Sequence, residues 1–108
     1  MRKENGPLIK DIKKSISQIK VIKTIVIFGS VARGQDKSDS DIDICVVLRE
    51  KNRSLEKNIS NFFLDLGKKY NRNVQLIICN EEFKNIERQF LETILREGKV
   101  ITGKLPSV

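Results

Sequence analysis

Residues 25–48 constrain this chain more than any other stretch. They read IVIFGSVARGQDKSDSDIDICVVL: an apolar run, a Gly-Ser break, a short polar loop, and a Ser-Asp-x-Asp opening of a second apolar run. Ile25, Val26, Ile27 and Phe28 are β-branched or aromatic in unbroken succession, which predicts a buried strand. Gly29 stops it, since glycine permits a sharp turn and a close approach of other groups to the backbone. Ser30 to Arg33 then has the composition of a first helical turn, closed by Gly34. Unpaired N–H groups and a partial positive charge gather at a helix N-terminus, so the backbone after Gly29, with the Ser30 hydroxyl, predicts a seat for a phosphate.

In Asp41-Ile42-Asp43-Ile44 the period is two, so on a strand both carboxylates face one way while Ile42, Ile44, Val46 and Leu48 face the other, toward a core. Two carboxylates roughly 6.5–7 Å apart along a strand would repel one another with nothing between them. A hard divalent cation resolves this, because Mg²⁺ is typically held by one or two carboxylates plus phosphate oxygens and water. Taken singly, a Gly-Ser is a turn and an Asp-x-Asp is a solvated strand edge. Joined at this spacing, they point to a metal-bound phosphate.

Gly29-Ser30-Val31-Ala32-Arg33-Gly34, five further residues, and Ser40-Asp41-Ile42-Asp43 resemble the signature G-S-x-A-R-G-x5-S-D-x-D of the DNA polymerase β-type nucleotidyltransferase superfamily. Within it the chain is similar to the minimal nucleotidyltransferases. The resemblance implies an α/β (α+β) nucleotidyltransferase fold, palm-like, with a mixed β-sheet and helices packed on one face. It covers residues 21–103 of a single domain, 1–108, preceded by a helix over residues 8–20. It also implies transfer of a nucleoside monophosphate from a nucleoside triphosphate, ATP first among them, to a hydroxyl, with two Mg²⁺ ions stabilising the attacking and leaving oxygens. Asp41 and Asp43 are then the catalytic and metal-holding residues, and Gly29, Ser30, Arg33 and Ser40 line the nucleotide. For Ser40 a loop-fixing hydrogen bond is the competing role, and for Arg33 an ion pair with Asp36 or Asp39.

Members of this superfamily resembling the chain carry a third carboxylate on the following strand, where it helps hold the ion that activates the nucleophile. Here that strand reads Asn73-Val74-Gln75-Leu76-Ile77, and alternation puts Gln75 on the site face. A neutral amide brings no charge and cannot act as a base, so the second ion is expected to be weakly held. Glu81 and Glu82 follow that strand and are the candidate replacements, although acids in a first helical turn are also expected from the helix dipole alone. A catalytically weak, antitoxin-like partner of a HEPN-domain protein, a role the resemblance also offers, is therefore the alternative to an active transferase.

Histidine is absent from the 108 residues and no C-x-x-C pair occurs, which excludes a Cys/His zinc site and any histidine-based triad. Cys45 and Cys79 lie in apolar runs and are read as buried reduced thiols, Cys45 sharing its strand face with Asp41 and Asp43. A net charge of +7 suits a polyanionic partner, nucleotide or nucleic acid, but aromatic content of 6% without tryptophan argues against a base-stacking platform. No run reaches the length of a membrane span or a secretory signal, and a cytoplasmic protein is expected.

Elsewhere, residues 1–7 read as a polar tail. Leu8, Ile9, Ile12, Ile16 and Ile19 recur at helical spacing to about residue 20. Strands are expected over residues 21–28 and 41–49. Ser54 is the expected N-cap of a helix carrying Leu55, Ile59, Phe62, Phe63 and Leu66. A third strand follows over residues 74–79, then a helix capped by Asn80 and closed by Gly98. Val100 and Ile101 add a short last strand.

Overall fold

The apolar runs become the middle of a four-stranded sheet. The computed structural model describes residues 2–16, 18–84 and 86–105. Strands β1 (Ile22–Phe28), β2 (Ile42–Leu48), β3 (Val74–Asn80) and β4 (Lys99–Thr102) lie in the order β3-β2-β1-β4. β1 runs antiparallel to β2 and to β4, whereas β2 and β3 are parallel, so the sheet is mixed as expected. A parallel pair needs a crossover, which the helix α3, as numbered in chain order, provides over Arg53–Tyr70. The other helices are α1 (Gly6–Ile16), α2 (Gly29–Arg33) and α4 (Arg88–Glu97).

Helices cover both faces of the sheet, not one. Ile25, Ile27, Ile42, Ile44 and Val46 pack against α1 and α3, but Val26, Phe28, Cys45 and Val47 form a second core with Cys79 and with Ile94 of α4. The reason lies in the strand sequence. Val26 and Phe28 are as apolar as Ile25 and Ile27, so β1 has no wet side and needs cover on both. The carboxylate face of β2 is likewise wet only at its first residues, because Cys45 and Val47 continue it into core.

Element boundaries differ where a competing local bond wins. The expected N-terminal tail forms a 3₁₀ turn, Lys3–Asn5, with Asn5 buried. α1 stops at Ile16, and Ile19 then bonds back to the Ile16 carbonyl; Ser17, within the longer helix expected, lies outside the described residues. The α3 N-cap is Asn52, whose Oδ1 accepts the Leu55 N–H at 3.0 Å, in place of Ser54. Asn80 opens a turn, not a helix. Its Oδ1 accepts from the Glu82 N–H and its carbonyl from the Phe83 N–H, and Phe83 adopts φ +56°. α4 therefore begins at Arg88, and Asn85 in the expected helical span lies outside the described residues, as do residues 106–108 of the tail. Gly98 does end α4, but in extended geometry at φ −62°; a Cβ there would run into the Ile94 carbonyl.

Candidate active site

Antiparallel pairing brings the end of β1 beside the start of β2, and parallel pairing adds the start of β3. Phe28 faces Asp43 in register, and Asp43 faces Gln75. One end of the sheet thus collects Gly29, Asp41, Asp43 and Gln75 from segments up to 46 residues apart in sequence (75 − 29).

Gly29 is the close-approach position. Its φ is +71°, and a Cβ built there would land on the Asp43 carboxylate. Only hydrogen fits between the turn and that acid. α2 follows, and Gly34 ends it in left-handed geometry at φ 71°, with its N–H on the Ser30 and Val31 carbonyls. Among the described residues the half-buried Ser30 hydroxyl has no hydrogen-bond partner.

Asp43 is half-buried, and burial raises its carboxyl above the usual range, with the like charge of Asp41 adding to the rise and Arg33 opposing it. A half-buried carboxylate with a second acid alongside it, beside a glycine turn, fits a divalent cation that would relieve the repulsion. Among the described residues no group of three or more Asp, Glu, Cys or His gathers as metal ligands, so the cluster stops at two. Gln75 fills the third place as a hydrogen-bond donor: its Nε2 lies 2.9 Å from Asp41 Oδ2.

The remaining expectations divide. Arg33 pairs with neither Asp36 nor Asp39; it donates to Glu97 Oε2 at 2.9 Å and to Gln35 Oε1 at 3.0 Å, tying α2 to α4 and holding the Glu97 carboxyl below its usual range. Ser40 Oγ accepts the Lys37 N–H at 2.7 Å, which shapes the loop ahead of Asp41. Cys45 is fully buried, its Sγ 3.8 Å from that of Cys79, and this contact together with burial pushes its thiol far up; it belongs to the packed core behind the site. Glu81 and Glu82 are not replacement ligands. Glu81 follows the far end of β3, about 20 Å along the strand from Gln75 at about 3.3 Å per residue, where it pairs with Lys23 and Arg49; Glu82 pairs with Lys84.

Two residues bordering the candidate site carry no mark in the sequence. Glu87 shares with Phe28, Gln75, Ile77, Ile86 and Phe90 a cleft of about 360 Å³ beside the carboxylates. It is exposed and, among the described residues, its side chain has no partner. The second is Arg72, its side chain 7% exposed and bonded into the site loop. Neither sits in a motif, and each reaches the site only through tertiary packing.

The model of the family "Polymerase beta, Nucleotidyltransferase" matches residues 10–106. The chain belongs to that family. Two similar proteins come from Methanocaldococcus jannaschii. "Putative protein adenylyltransferase MJ0141" is 28% identical over 94 residues, covering 84% of this chain and 92% of that protein. "Putative protein adenylyltransferase MJ1215" is 37% identical over 67 residues, covering 55% and 78%. Among solved structures, a chain of a toxin–antitoxin complex with AMP-PNP superposes with a TM-score of 0.66 at 20% identity, covering 93% of this chain and 73% of that one. A chain of the tri-AMPylated Shewanella oneidensis HEPN toxin in complex with MNT antitoxin gives 0.59 at 18% identity, covering 93% and 70%. At these identities the structural matches establish the fold.

Proposed function

We propose that the chain transfers a nucleoside monophosphate from a Mg²⁺-bound nucleoside triphosphate to a hydroxyl of a partner protein. The observation that carries this reading is the apposition of Gly29 to Asp43 with Asp41 alongside, an anionic pair facing a backbone with no room for a side chain. Asp41 and Asp43 hold the cation, Gly29 leaves the triphosphate its approach, and the Ser30 hydroxyl donates to a phosphate oxygen. Arg33 and Ser40 border the nucleotide and keep the loop between them in shape. The bound cation supplies charge stabilisation as the acceptor oxygen bonds to the α-phosphorus and the bond to pyrophosphate breaks. Gln75 cannot take the acceptor's proton, which passes to solvent, and transfer is correspondingly slow.

The names of the two archaeal relatives support a protein as acceptor, and the AMPylated HEPN toxin found with an MNT antitoxin supports a HEPN-domain partner. Gln75 favours a second reading, in which the fold binds nucleotide and partner but does not transfer. The test is mass spectrometry of the chain and its co-expressed genomic neighbour after incubation with each nucleoside triphosphate and Mg²⁺. An added monophosphate on the neighbour is expected. No adduct, with triphosphate still bound, leaves the second reading.

A further inference from the structure

Arg72 lies between α3 and β3, and its guanidinium serves three residues, Asn5 before α1 and Asp36 and Ser40 in the loop ahead of β2. Nε donates to the Ser40 carbonyl, one terminal nitrogen to Asn5 Oδ1 and the other to Asp36 Oδ2, each at 2.9 Å. Its side chain is 7% exposed and that of Asp36 is 0%. A planar fork with donors in several directions can do this; a lysine ammonium cannot span all three. Arg2 and Asn5 also donate to the Asp36 carboxylate, so the acid is fully engaged between two guanidinium groups.

The same corner grips the chain on the other side of Asp41. The Asn73 carbonyl accepts the Ile42 N–H at 2.9 Å, and Gln75 Nε2 reaches Asp41 Oδ2. Asp41 is exposed and lies just outside β2, beyond the register that pairs Ile42 with Val74. Yet the residue before it, the residue after it and its own carboxylate are all held by residues 72–75. A buried ion pair kept only for stability has no need to converge there, since well-packed apolar side chains serve a core as well.

We propose that Arg72 is a positioning residue for Asp41: backed by Asp36, it fixes the backbone that aims the Asp41 carboxylate alongside Asp43. The inference rests on the reading of Asp41 as a cation ligand. Arg72 acts through geometry, its three donors each fixed on a separate acceptor.

The test uses the whole chain, with calorimetric titration of Mg²⁺ and a non-hydrolysable ATP analogue against wild type, Arg72→Lys and Arg72→Met, each also combined with Asp41→Asn. Outer-shell partners of a metal site are typically worth roughly 10- to 100-fold in metal affinity. Arg72→Lys is expected to lose about that much while keeping the wild-type circular dichroism, and to lose nothing further in the Asp41→Asn background. Without metal, hydrogen exchange at the Ile42 amide should quicken in Arg72→Lys. An equal loss in both backgrounds, or none in either, overturns the proposal. If Arg72→Met does not fold, Arg72→Lys, which keeps a cation beside Asp36, decides. Wild type binding equally well with Mg²⁺ and with chelator would sink the ligand reading itself, and that control separates the two failures.

Discussion

Gln75 exchanges a charge for a hydrogen bond at the position where a third carboxylate would face Asp41 and Asp43. The amide calms Asp41 without metal, but it can neither neutralise a second cation nor accept a proton. Gln75→Glu should therefore raise transfer, a missing base being worth about 10²–10⁴ in rate, while triphosphate affinity stays within a few-fold; single-turnover kinetics against calorimetry separates the two. The same variant should melt lower in chelator than in Mg²⁺, since three carboxylates then crowd one sheet end. At Gly29 the strain is steric: Gly29→Val forces a β-branched residue to φ +71° and a methyl toward Asp43. Left-handed strain of this kind costs about 1–3 kcal/mol, which a packed sheet should survive, so a folded protein that no longer binds nucleotide is expected. Normal nucleotide binding by Gly29→Val would put the phosphate cradle elsewhere.

Asp36 contributes a pH dependence from a buried site. Burial raises its carboxyl, but Asn5, Arg72 and Arg2 outweigh that and hold it below the usual range. The folded chain thus keeps the carboxylate where the unfolded chain takes up a proton. That contribution is present above the ordinary aspartate value and is lost as pH falls through the lowered one, in a window below about pH 4. Asp36→Asn should cost about 3 kcal/mol near neutrality, as for breaking a buried pair. In urea melts its gap from wild type should close toward acid pH; a gap that stays constant would mean that Asp36 does not titrate with folding.

At the scale of elements, β1, β2 and the turn between them were legible because each signal is local: an unbroken apolar run, a glycine, a period of two. Gly29 and Asp43 could be paired from sequence once the two strands were taken as antiparallel neighbours. The start of α4 was not legible, because the Asn80 side chain caps a tight turn as readily as a helix, and Phe83 at φ +56° commits the chain to the turn. The clamp of Arg2, Asn5, Asp36 and Arg72 was invisible for a different reason. Its bonds join residues 31 to 67 positions apart, and no local period records them. The α3 cap is a milder case of competition, since Asn52 and Ser54 both suit the role. Its geometry assigns the cap to Asn52, so Asn52→Ala should lower stability by about 1 kcal/mol, whereas Ser54→Ala should stay within about 0.5 kcal/mol. Equal losses in chemical denaturation would show that the cap is shared.

For the whole molecule, one end of the sheet gathers the proposed site, and Gln75 also lines the cleft between β3 and α4. Phe90 is 44% exposed at that cleft, and Gln75 and Glu87 give its wall two polar points. Among the described residues no helix is long and apolar enough to cross a membrane. The two functional readings share this architecture and differ only in whether the chemistry is used. Asp41→Asn with Asp43→Asn should leave the sheet, both cores and the cleft in place while removing the proposed ligands of the cation. In calorimetry that double variant should lose any dependence of triphosphate binding on Mg²⁺. Mixed with the genomic neighbour, it should still co-elute on size exclusion if partner recognition uses the cleft and surrounding surface, yet leave the neighbour without added monophosphate. If complex formation disappears along with the carboxylates, the partner reads the bound nucleotide itself, and recognition and transfer are one site. If the neighbour is modified as well by the double variant as by wild type, Asp41 and Asp43 do not carry the reaction, and the proposed transferase site is wrong.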